Sequence, residues 1–178
     1  MQMARHYDRS ISSVIRFYSA KREGGRVIDD LVANELTSLV GENANIPAGE
    51  VVATGAGELE RTHGVKKIFH AAAVVGQIGK GYTPIADIAM CVRNSLELAD
   101  SPEFNDLELK TMLFPILGTG TGRGNLEEKA GELIRAAISH LSQYPPCRID
   151  RVYFLVLTEK HLAVCQRVLQ EAPEVIIM

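Results

Sequence analysis

Hydrophobic positions along this chain fall into two periods, and each period marks an element. "SISSVIRFYSA" (10–20) sets Ile11, Val14, Ile15 and Tyr18 at helical spacing, with Asp8 or Ser10 placed to cap the start. Gly24 and Gly25 end that segment. "VIDDLVANELTSLVG" (27–41) repeats the helical pattern, with Ile28, Leu31, Val32, Leu36 and Leu39 on one face and Gly41 suited to its C-terminal end. "EVVAT" (50–54) and "KKIFHAAA" (66–73) are short apolar runs that read as buried strands on either side of "GAGELERTHG". "VGQIGKGY" (75–82) reads as a glycine-rich loop. It leads into a helix over "TPIADIAMCVRNSLELAD" (83–100), with Thr83 as N-cap and Pro84 in the first turn. Ile85, Ile88, Ala89, Val92 and Leu96 form the apolar stripe of that helix.

The second half is more regular. "KTMLFPIL" (110–117) is a strand stopped at Pro115. "NLEEKAGELIRAAISHL" (125–141) is a helix capped by Asn125, with Glu128 at the capping-box position. Its core face is Leu126, Ala130, Leu133, Ile134, Ala137, Ile138 and Leu141. "RVYFLVL" (151–157) is a strand, Thr158 caps a last helix, and "EVIIM" reads as a short terminal strand. Strands alternating with helices predict an α/β protein, and 178 residues fit one domain spanning 1–178.

Composition narrows the classes. Hydrophobic residues make up 46% and charged residues 23%, the balance of an ordinary globular protein. The net charge is −3 and the isoelectric point about 6.0, so a general electrostatic grip on nucleic acid is not expected. No apolar run approaches the roughly 18–20 residues of a membrane span, and no apolar leader follows Met1. The cysteines, Cys91, Cys147 and Cys165, are scattered and form no Cys/His pattern of zinc spacing. They read as reduced thiols of a cytoplasmic protein with no metal.

The segment that stands out is "ILGTGTGRGN" (116–125), with Gly118, Gly120, Gly122 and Gly124 at every second position between an apolar strand and a capped helix. Glycine lets a backbone approach a ligand closely and adopt positive φ, and successive N–H groups form an anion nest. The N-terminal dipole of the following helix favours negative charge. Thr119 and Thr121 offer hydroxyls and Arg123 a rim charge, so a diphosphate fits these demands. The competing reading is a flexible strand–helix joint. GxGxxG and Gly-Lys-Ser/Thr are both absent, which excludes the standard dinucleotide and P-loop sites.

Other residues read as ordinary. His70 is a buried histidine or a residue near the ligand, and His6, His140 and His161 lie on helix or loop surfaces. Asp29–Asp30 and Glu127–Glu128 are sequence neighbours that do not face each other on a helix. Cys91 reads as packing, and Lys80 and Tyr82 either reach a bound ligand or belong to an ordinary connection before the next helix.

In combination these segments resemble a macro domain, the ADP-ribose-binding module. "PAGEVVATGAGEL", "GVKKIFHAAAV", "TMLFPILGTGTGRG" and "IDRVYFLVL" follow the family's order over roughly residues 47 to 158. The resemblance implies a three-layer α/β/α fold with a mixed central sheet. It implies that Gly118, Thr119, Gly120, Thr121, Gly122, Arg123 and Gly124 wrap a diphosphate. It sets the amides of Ser10, Ile11 and Ser12 on an opposite wall and Leu157 and Thr158 beside adenine. The family's first strands, its adenine-recognising aspartate and its ribose-binding asparagine loop have no counterpart here. The implied function is therefore binding of ADP-ribose or an ADP-ribosylated molecule, without cofactor and without catalysis. The alternatives are a ligand-free interaction domain or an ADP-ribosyl hydrolase. A second copy of the chain is one expected cover for the exposed sheet edge.

Overall fold

The computed structural model describes residues 1, 3, 4, 10–42, 44, 46–77, 81–120, 125–143 and 147–172. The chain divides into two compact units, residues 1–47 with 51–71, and residues 48–50 with 72–178.

The first unit opens on a reciprocal capping box. Ser10 Oγ accepts the Ser13 N–H at 3.1 Å, and the Ser10 N–H donates to Ser13 Oγ at 3.3 Å. This starts helix α1, Ile11–Ser19. Gly24 and Gly25 then take φ of 55° and 79° and turn the chain between strands β1, Lys21–Glu23, and β2, Arg26–Asp29. A two-residue turn with both φ positive is the geometry that twisted hairpins favour. The helix expected over 27–41 is therefore shorter: α2 runs Leu31–Val40. Val27 and Ile28 are strand residues, and Ile28 and Leu39 are exposed while Val32 and Leu36 are buried. Gly41 ends α2 as expected, its N–H donating to Thr37 O at 2.8 Å with φ 83°.

Both expected strands form. β3, Val51–Thr54, pairs antiparallel with β4, Ile68–Ala71, in the register Val51↔Ala71 to Thr54↔Ile68. The link between them holds a helix the pattern did not predict, α3, Glu58–His63, closed by left-handed Gly64.

The second unit corrects the expected glycine loop at 75–82. Strands β5, Val74–Gln77, and β6, Gly81–Pro84, pair antiparallel, so the loop is a hairpin. Thr83 and Pro84 end β6 and do not cap a helix, and α4 begins at Ala89 and runs to Ala99. The apolar stripe was placed correctly: Ile85, Ile88, Ala89, Val92 and Leu96 are all buried.

Strand β7, Thr111–Pro115, lies parallel to β8, Arg151–Leu155, and helix α5, Leu126–Gln143, crosses between them. Met112 and Phe114 point inward, with Phe114 stacked on Phe154 at 6.0 Å between ring centroids. The opposite face carries Leu113 and Tyr153, paired in register and 60% and 51% exposed. Helix α6, Glu159–Gln170, starts at Thr158, whose hydroxyl accepts the His161 N–H at 3.2 Å. The expected "EVIIM" strand lies outside the described residues. Parallel and antiparallel pairs coexist, as a mixed α/β fold requires. Among the described residues they form four two-stranded ladders.

Candidate functional site

The glycine segment leaves the C-terminal end of β7, where α/β proteins commonly hold ligands. Pro115 ends the strand, and Thr119 Oγ1 donates to Ile116 O at 2.7 Å, pinning the first turn. That bond commits the hydroxyl proton of Thr119, so the oxygen keeps only acceptor capacity for any further partner. Gly118 has φ 80°, in the left-handed region. A Cβ there would meet Pro84 Cβ at 3.5 Å and Ile88 Cδ1 at 3.7 Å, which is ordinary contact. The demand at 118 is thus conformational. A Cβ on Gly120 would meet nothing within 4 Å, so its surface is open. Thr121, Gly122, Arg123 and Gly124 lie outside the described residues.

On the far side of the segment, Asn125 caps α5. Its Oδ1 accepts the N–H groups of Glu127 at 2.9 Å and Glu128 at 3.2 Å. Two amides expected to attract an anion are therefore already satisfied. Glu127 pairs with Arg167 at 2.7 Å and Glu128 with Lys129 at 3.2 Å. The carboxylates also complement the helix dipole.

The other expected residues are part of local structure. Ser10, Ile11 and Ser12 open α1 in the first unit. The capping box takes the Ser10 amide, and Ser12 Oγ accepts the Ala4 N–H at 3.1 Å. This leaves the Ile11 and Ser12 amides outside the box. Leu157 is exposed, and the Thr158 oxygen is the α6 cap.

His70 is held by a side chain. Its Nε2 lies 2.9 Å from Thr54 Oγ1, and that hydroxyl donates to Gly55 O at 3.0 Å. A hydroxyl has one proton, so with this proton on Gly55 O the histidine carries its own on Nε2. Burial lowers the His70 pKa to about 4, so the ring is neutral at neutral pH. Glu35 receives the Gly55 N–H on both carboxylate oxygens, at 3.1 and 3.0 Å.

Burial pushes the thiols of Cys91 and Cys147 up to about 11, and that of Cys165 also up. All three are free thiols and are protonated at neutral pH. Cys91 is buried in α4, consistent with packing.

One cluster was not expected. Asp100, His140 and Cys147 each bring a donor atom to within 4.8 Å of the others. The expectation that His140 sits on a surface was wrong: it is 3% exposed. Sequence separations of 40 and 7 match no metal spacing, so only the packing of α4 on α5 reveals the group.

These elements define an α/β protein with a glycine-rich segment between β7 and α5. The Macro domain family model matches residues 26–133, and the chain belongs to that family. Its fold is similar to a mutant Oceanobacillus iheyensis macrodomain with ADPR, at a TM-score of 0.66 and 18% identity, covering 92% of this chain and 77% of that one. It is also similar to the Oceanobacillus iheyensis macrodomain with ADP, at 0.66 and 18%, covering 92% and 76%. A Trypanosoma brucei macrodomain in complex with ADP matches at 0.53 and 15%, covering 86% and 59%. At these identities the likeness is one of fold. No curated protein sequence matches the chain. Among the described residues, no helix is long and apolar enough to cross a membrane.

Proposed function

We propose that this protein binds ADP-ribose or a related diphosphate nucleotide through residues 118–124, without catalysis. The observation that carries the reading is Gly118. It turns the chain through a left-handed conformation directly after β7, and Gly120 beyond it is open. Membership of the macro family and the fold relatives with ADPR and ADP support the same ligand class. In this reading Thr119, Thr121 and Arg123 supply the polar rim, and Leu157 and Thr158 flank the base. Protonated thiols and a neutral, engaged His70 support binding over nucleophilic chemistry. Free thiols support a cytoplasmic setting. Calorimetry with ADP-ribose tests the proposal. Saturable one-to-one binding is expected, and no heat at millimolar ligand would overturn it.

A second reading, an interaction domain, is favoured by the exposed Leu113–Tyr153 pair. Sedimentation at rising concentration tests it: a dimer that Tyr153→Ser abolishes supports self-association, and a monomer throughout rejects it.

A further inference from the structure

The Asp100–His140–Cys147 cluster lies at the opposite end of α5 from the glycine segment. His140 is fourteen residues beyond Leu126, which is about 20 Å along a helix axis. The cluster is therefore separate from the nucleotide site. Three elements build it. Asp100 terminates α4, with its N–H bonded to Leu96 O and Glu97 O. His140 lies in the last turn of α5, and Cys147 precedes the return to β8.

The two oxygens of Asp100 have different tasks. Oδ1 accepts the Arg148 N–H at 2.7 Å. Oδ2 faces both other side chains, 3.1 Å from Cys147 Sγ and 3.6 Å from His140 Nε2. A tetrahedral zinc ion with one oxygen, one nitrogen and one sulfur ligand separates those atoms by about 3.3–3.6 Å, given bonds of roughly 2.0–2.3 Å. The two Asp100 separations lie close to that range, and all three donor atoms lie within 4.8 Å of one another.

An outer shell is also present. The Arg148 guanidinium donates to Ser101 O at 3.2 Å and to Asn105 Oδ1 at 2.5 Å, fixing the backbone whose N–H orients Asp100. Partners of this kind hold metal ligands in place. Asp100 and Cys147 are part-exposed, which gives an ion and a fourth, water ligand an approach, while His140 is buried. Mixed thiolate, imidazole and carboxylate donors match zinc or cobalt, and mismatch magnesium or calcium, which take oxygen shells.

We infer that Asp100 Oδ2, His140 Nε2 and Cys147 Sγ form a zinc-type cation site that joins the ends of α4 and α5 to the entry of β8. Binding displaces the thiol proton to solvent, and the thiolate sulfur donates its electron pair to the ion; no redox step is involved.

Cobalt(II) and zinc(II) titrations of the full chain test this. Wild-type protein should bind one ion and show, with cobalt, the ligand-field bands of a tetrahedral ion and a sulfur-to-metal charge-transfer band. Cys147→Ser should abolish the sulfur band and weaken zinc by about a hundredfold or more, the upper end of what losing even an outer-shell partner costs. Cys165→Ser should change neither. Zinc at about a hundred times its dissociation constant should raise the wild-type Tm by roughly 5–10 °C. A cobalt spectrum without the sulfur band, or a band that survives Cys147→Ser, overturns the site. The wild-type spectrum decides the matter even where a variant folds poorly, and ADP-ribose calorimetry is independent of it.

Discussion

Two glycines show how differently the same residue type is used. Gly57, at the start of α3, sits against the backbone: a Cβ there would lie 2.2 Å from Ser19 O. Its φ of 57° and ψ of −136° also suit glycine alone. Gly118 has an equally positive φ but ordinary space around the missing side chain, and Gly120 has open space. The first glycine lets two pieces of chain close on each other. The second bends a strand end and leaves its surface uncovered. Closure belongs to folding, and the open space at Gly120 is room for the proposed ligand.

The contrast breaks first at Gly57. Gly57→Ala collides with a backbone carbonyl that cannot rotate away, so a loss of about 4 kcal/mol or more is expected, read by urea denaturation. A near-neutral result would mean that the closure is not needed. The next effect probes the same region through His70. Its folded pKa, about 4, lies below the unfolded value near 6.5. The unfolded chain therefore takes up the proton first as pH falls. Stability should drop between pH 6.5 and 4 by about 3 kcal/mol and not rise. His70→Gln should remove that part of the slope in denaturation curves taken across the range.

The open turn should answer more gently. Gly118→Ala keeps its space and pays only the left-handed backbone strain, about 1 kcal/mol of stability, while ADP-ribose affinity falls at least tenfold by calorimetry. Gly120→Glu should change stability by no more than about 0.5 kcal/mol, since nothing lies near its Cβ. It should nonetheless abolish ADP-ribose binding by placing a carboxylate among the phosphate donors. Unchanged affinity would reject the assignment of the turn.

The sequence was most legible where a local signal bounded an element. Asn125, Thr158 and Gly41 all act as the caps their positions predict. It misled where two periods coincide over a short span. Ile28 is in phase with the apolar face of α2, yet the Gly24–Gly25 turn makes it a strand residue. Thr83-Pro84 has the form of a helix start, but Pro84 ends an edge of the β5–β6 hairpin, where a missing N–H is tolerated. Gly76 in that hairpin needs its cross-strand approach, since a Cβ would lie 2.2 Å from Gly81 O, and a loop reading hides that contact. In the site, the residue type and φ of Gly118 follow from its place after a strand. The consumption of the Glu127 and Glu128 amides by Asn125 does not, because a cap and an anion site share one sequence signature. The Asp100–His140–Cys147 group was illegible because nothing local links its members.

The parallel register of β7 on β8 has a kinetic consequence. Thr111 pairs with Arg151 across forty residues, whereas the β1–β2 and β5–β6 hairpins pair residues no more than ten apart. Chain-closure entropy is small for the hairpins and larger for the parallel pair, which cannot form until α5 has folded back across it. The glycine segment thus begins the longest-range connection among the described strand pairs of the second unit. The binding surface proposed there depends on the long-range step of folding, so a half-folded chain should not bind ADP-ribose.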